Sequence, residues 1–149
     1  MDEHDEELLN DIAQHGWHAV GYGSREEGGA GFAYSVGFFH SFAHPEIFIW
    51  GLSSEIQMRL LMLFSVPISS GERFHAGSVV PNIAGQTLTF VEVHREFYGD
   101  YFGRALNFYG ARAFPVLQLV WPDPKGNYPW QADYDYRHEQ VVLGTDVTS

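Results

Sequence analysis

The chain has 149 residues, 45% hydrophobic and 18% charged, with no cysteine and a net charge of −11. This composition fits one globular domain able to bury a core, and it excludes disulfides, thiolate catalysis, iron–sulfur clusters and Cys-based zinc sites. No run of about 18 apolar residues spans a membrane, the acidic start Met1-Asp2-Glu3-His4-Asp5 is unlike a secretory signal, and the acidity opposes phosphate binding. A cytoplasmic protein with no nucleic-acid or membrane partner is therefore expected.

A first helix is predicted from about Asp5 to His15, with Leu8, Leu9 and Ile12 on one face and Gly16 as its stop. Acids crowd its start, where the helix dipole favours them. Residues 1–30 hold eight acids against Arg25 alone. A solvated helix accounts for that charge, and a basic protein partner would also be drawn to it.

Trp17 to Tyr22 reads as a strand, Gly23–Ala30 as an exposed turn, and Phe32–Val36 and Ile47–Leu52 as strands. The last two are nearly unbroken apolar runs, which predicts burial on both faces. Between them lies a segment carrying His40, His44 and Glu46, expected to be a loop held rigidly by its flanking strands.

A second helix begins at Ser54, with Gln57 completing a capping box, and ends at Pro67. Residues 68–85 look irregular. A strand over about Thr87–Val93, a helix over about Glu96–Tyr109 and a strong strand over Phe114–Trp121 follow, with Val141–Leu143 as a short edge strand. The order α-β-β-β-α-β-α-β predicts an α+β fold: a mixed or antiparallel sheet of about five strands with three helices.

Several blocks in chain order carry a family resemblance: His15-Gly16-Trp17, Gly31-Phe32-Ala33-Tyr34-Ser35-Val36-Gly37, His44-Pro45-Glu46, Gly71-Glu72-Arg73-Phe74 and Phe108-Tyr109-Gly110. Leu117-Gln118-Leu119-Val120-Trp121-Pro122-Asp123, Gly126 and Pro129-Trp130 complete the set. On these the chain resembles the domain of unknown function 4262 family. The resemblance implies a compact bacterial single-domain protein and supplies no catalytic residue.

His40, His44, Glu46 and His94 are the candidate catalytic groups, since imidazoles serve as general bases near neutrality. Pro45 displaces His44 from helical dihedrals, so the His40/His44 spacing loses its meaning as a metal pair. A third ligand would have to come from His94 or Asp123, and no metal site or cofactor is assigned. His44-Pro45-Glu46 and His94-Arg95-Glu96 match half of a zinc deaminase signature whose other half needs cysteines.

Ala33-Tyr34-Ser35-Val36-Gly37 imitates a nucleophile elbow, but the expected loop after it offers no helix, so Ser35 reads as a strand residue. Gly21-Tyr22-Gly23-Ser24-Arg25-Glu26 lacks the third glycine of a dinucleotide fingerprint.

Tyr34, Gln118, Trp121, Asp123 and Trp130 are the candidate binding residues. Gln118 is the lone polar side chain in Phe114–Trp121 and must find hydrogen-bond partners. Trp121, Tyr128, Trp130, Tyr134 and Tyr136, interleaved with acids, either form a stacking platform or fold a Pro-rich tail over the core.

The expected function is a binding or regulatory domain recognising a basic protein or a small ligand through the His40–Glu46 loop and the 121–136 segment. The alternative is a small hydrolase, metal-dependent or flavin-type enzyme. In it His40 or His44 is the base, Glu46 or Asp123 orients it, and Tyr34 or Gln118 donates hydrogen bonds.

Overall fold

The computed structural model describes residues 3–24, 29–135 and 140–144. Its elements are α1 (Glu3–His15), β1 (His18–Ser24), β2 (Gly29–Val36), α2 (Phe38–Phe42), β3 (Glu46–Trp50) and α3 (Ser54–Ser69). Then come β4 (Val79–Ile83), β5 (Gln86–Glu92), α4 (Tyr98–Tyr101), α5 (Gly103–Tyr109) and β6 (Val116–Val120). The strands form one sheet in the order β1-β2-β3-β6-β5-β4. Only β3 with β6 is parallel among its pairings.

Both faces of the sheet are covered. Leu8 and Ile12 of α1, Phe102 between α4 and α5, and Ala105 of α5 pack on the face that presents Tyr34, Phe48 and Val116. Leu60, Leu61 and Phe64 of α3 pack on the opposite face against Ala33, Ile47 and Leu117. Alternation of side chains along each strand produces the two faces, and the apolar runs of β2 and β3 are buried on both over Ala33–Val36 and Ile47–Ile49, as their composition predicts. Among the described residues no helix is long and apolar enough to cross a membrane.

The fold is α+β with a mixed sheet, but among the described residues it holds six strands and five α-helices rather than about five and three. The extra strand, β4, lies in the stretch expected to be irregular. It is an edge strand, where Pro81 leaves no interior ladder bond unmade. Ala84 (φ 51°) and Gly85 (φ 79°) make the two-residue turn into β5 with both residues left-handed. The extra helix, α2, occupies the expected loop.

Other boundaries shift for local reasons. Ser53, not Ser54, caps α3 through its hydroxyl on the Ile56 amide at 3.2 Å. Gln57 therefore does not close a capping box; its amide turns inward to the Gly31 and Gly51 carbonyls. Pro67 sits inside the last turn of α3 rather than ending it. The expected single helix over Glu96–Tyr109 is a 3₁₀ turn (Arg95–Phe97) followed by α4 and α5, broken where buried Phe102 takes φ −113°, ψ 36°. Val141–Leu143 forms no strand, though the next residue, Gly144, makes an isolated bridge with Val93. Of the expected Gly23–Ala30 turn, residues 25–28 lie outside the described residues, as does Tyr136, and the rest belongs to the ends of β1 and β2.

Candidate functional site

Glu46 opens β3 and is completely buried. Its carboxylate accepts from Ser35 Oγ at 2.7 Å, from the Gly37, Phe38 and Phe39 amides at 3.0–3.1 Å, and from the Tyr109 hydroxyl. The three amides are the unpaired N–H groups of the first turn of α2. A distant carboxylate thus caps this short helix, which is why the local sequence reads as a loop. Burial pushes the Glu46 carboxyl above its ordinary range, and the Tyr109 and Ser35 hydroxyls and backbone amides work against that push. Hydrogen bonds to a charged group contribute roughly 1.5–3 kcal/mol each, so these contacts moderate the cost of burying the carboxyl, but burial still outweighs them.

His44 is sealed in the same corner, 1% exposed. Its Nδ1 lies 2.8 Å from the Pro45 carbonyl, and Nε2 accepts the Phe74 amide at 2.9 Å. The acceptor role of Nε2 places the proton on Nδ1 and makes the ring neutral. Burial, and beyond it the charge of Arg73, holds its pKa below the histidine norm. Both nitrogens are committed to backbone, leaving neither for a substrate proton or a metal.

A helix does follow Gly37, contrary to the loop expected there, yet Ser35 is not lifted into an elbow. It is fully buried within β2, donates to Glu46 and accepts the Ile47 amide at 2.9 Å.

The other candidates are dispersed. Because β3 and β6 run parallel from Glu46 and Val116, His44 lies at the start of the pair and Asp123 beyond its end, so the length of β6, roughly 13 Å, and the residues past it separate the two. Asp123 accepts the Lys125 and Asn127 amides at 2.9 Å and the Asp135 amide at 2.8 Å. Burial raises its pKa, but these amides outweigh burial and hold it below the usual carboxylate range.

Gln118 donates to the Val141 carbonyl at 2.7 Å and accepts the Leu143 amide at 2.8 Å. Gln140 returns the gesture, gripping both the N–H and the C=O of Trp121. Trp121 packs in the core and donates its indole N–H to the Trp50 carbonyl at 2.9 Å. Trp130 stacks on Tyr128 at 5.2 Å, partly buried, and Tyr128 is anchored to the Thr87 carbonyl.

Tyr34 is buried, and its hydroxyl accepts the Arg104 amide at the start of α5; burial pushes its pKa well up. His94 is exposed beside Glu96 at 3.7 Å. His40 is exposed too, 3.4 Å from the Arg112 guanidinium, which lies over the Phe39 and Tyr109 rings.

A cavity of about 900 Å³ opens elsewhere, between α1, β1 and α5. Asp5, Glu7, His18, Tyr22 and Arg104 are among the residues around it. Arg104 ties the two helices together, donating to the His4 carbonyl at 2.5 Å and lying 3.8 Å from the Asp5 carboxylate. Tyr22, 47% exposed, rests on Phe32 at 5.1 Å, and Phe32 stacks in turn on Trp50. Sequence reasoning counted Glu7 and Asp11 only among the acids of residues 1–30 that would draw a basic partner, and passed over His18 and Arg104. One signal was present: Glu7 and Asp11, four apart on a helix, share a face.

The sheet, its two helical layers and this cleft define a small α+β domain built around a buried carboxylate. The chain matches the family model described as "Domain of unknown function (DUF4262)" over residues 11–135, and it belongs to that family. No match was found among curated proteins or among solved structures.

Proposed function

We propose that the protein is a non-catalytic binding domain of the cytoplasm that recognises a cationic partner, a Lys/Arg-rich protein segment, in the cleft between α1, β1 and α5. The observation that carries this reading is the cleft itself. Among the described residues lining it the carboxylates of Asp5 and Glu7, with Asp11 beside Glu7, outnumber the guanidinium of Arg104, and the exposed ring of Tyr22 lies at its wall. Carboxylates attract a basic segment and steer its approach, while an aromatic face adds cation–π attraction. Glu46, His44, Gln118 and Asp123 support the same reading from the other side, because each spends its polar atoms on holding the fold. The binding surface is accordingly assigned to the cleft and not to residues 40–46 or 121–136.

Titration with a labelled Arg/Lys-rich peptide in the presence of chelator tests the proposal. Binding is expected to weaken steeply with salt and to weaken further in Glu7→Gln and Tyr22→Ala. No binding at low salt, or binding indifferent to both substitutions, overturns it.

A further inference from the structure

We propose that Glu7, Asp11 and His18 form a binding site for one divalent first-row transition metal ion on the α1 wall of the cleft. Among the described residues these three bring one ligand atom each to within 4.8 Å of the others. Donors around a tetrahedral ion held at about 2.0–2.2 Å stand roughly 3.3–3.6 Å apart, so the exposed Glu7 carboxylate would swing inward by roughly 1 Å to close the set.

The fold sets up this cluster from two elements. Glu7 and Asp11 stand one turn apart on α1. Gly16, at φ +90°, then turns the chain so that His18 opens β1 beneath them. Leu8 and Ile12 of the same helix share a core with Val20 of the same strand, which holds the two elements against each other. His18 is 8% exposed, so its imidazole is held by packing. Asp11 is half-open and Glu7 is exposed, so the carboxylates can adjust to an ion.

His18 Nδ1 lies 2.6 Å from Asp11 Oδ2, a hydrogen bond whose proton sits where a metal would bridge the two atoms. Binding the ion displaces that proton. One imidazole nitrogen with two carboxylates suits zinc, manganese, iron, cobalt or nickel; magnesium and calcium favour all-oxygen shells. Glu7 and His18 both face the cavity. Three protein donors therefore leave a coordination position open towards the cleft, as in sites where a metal holds water or a ligand group.

The test uses the full chain, stripped with chelator, then dialysed and titrated with Zn²⁺ by calorimetry and with Co²⁺ by visible absorption. One ion per chain is expected, with proton release and with cobalt bands typical of low coordination. Magnesium at the same concentration should not compete. His18→Gln and Glu7→Gln should each weaken Zn²⁺ binding by more than about tenfold, a loss that even outer-shell changes can cause. His94→Gln, at an exposed histidine beside Glu96, should leave it unchanged. Glu7 is exposed, so its variant keeps the fold, and circular dichroism verifies this for both. No stoichiometric binding, or binding that survives both substitutions, overturns the site. Glu7 is shared with the cationic-segment reading, but ion binding is read without peptide and peptide binding in chelator, so either can fail alone.

Discussion

Ser35 Oγ donates to Glu46 Oε1 at 2.7 Å and accepts the Ile47 amide at 2.9 Å. The hydroxyl stitches β2 to the start of β3 just beyond their last backbone pair, Tyr34 with Phe48. Glu46→Gln keeps the size of the side chain but turns N–H groups towards backbone donors. It is expected to destabilise the protein by more than about 3 kcal/mol, because several buried donors lose their acceptor at about 1–3 kcal/mol each. Ser35→Ala should cost about 1–3 kcal/mol. The two losses should add to less than their sum, because they remove parts of one network. Urea unfolding of both single variants and the double variant measures this, and an unchanged midpoint for Glu46→Gln would contradict the anchor.

Stability should fall on mild acidification because of His44. Its folded pKa is depressed by burial, so the neutral ring contributes fully above the ordinary histidine value of about 6.5. As pH drops below that value, the unfolded chain takes up a proton that the folded chain refuses, and stability is lost. Glu46, with its raised pKa, carries the opposite sign, since acidification protonates it in the folded chain before the unfolded one. His44→Gln offers a donor and an acceptor without titrating, so the difference between wild type and variant isolates the His44 step. Urea midpoints from pH 7.5 to 5 should converge if the assignment is right, and parallel curves would refute it.

Gly37→Ala should be among the most damaging single substitutions. A Cβ there meets the Gly16 carbonyl oxygen at 2.5 Å and Trp17 Cα at 2.8 Å, on a backbone at φ +119°. The substitution combines left-handed strain with a backbone clash that no rotamer relieves, for a loss of more than about 3 kcal/mol. Gly126→Ala, also at positive φ but facing open space, should cost only about 1 kcal/mol. Thermal midpoints of the pair separate collision from strain.

Gln118→Met should loosen the segment at 140–144. The Val141 carbonyl and Leu143 amide lose their side-chain partner, at a cost of about 1–3 kcal/mol. Hydrogen exchange at the Leu143 amide should rise more than exchange in β6, and uniform acceleration would argue against a local clasp.

Periodicity and composition carried the fold as far as α1, β1, β2, β3, α3, β5 and β6, because these elements bury apolar residues at regular spacing. α2 escaped because its cap, Glu46, lies beyond the helix in sequence and reaches it only through the fold. β4 escaped because it is exposed and holds Pro81. Gln118 stood out as needing partners, and the structure supplies them from the main chain at 141–143. His44 and Glu46 drew notice as polar groups beside apolar strands, but only coordinates reveal whether such groups face inward or outward. The cleft was least legible, since His18 meets α1 through a turn whose direction the sequence does not state.

The lone parallel pairing has a kinetic side. β1–β2–β3 can zip as a meander and β4–β5 as a hairpin, each by local closure. Phe48 and Gln118 are partners across nearly half the chain, and such distant pairing is slow because loop entropy is lost before contact is gained. The seam between β3 and β6 is expected to be the late, rate-setting step of folding, with the sheet's centre assembled after its wings.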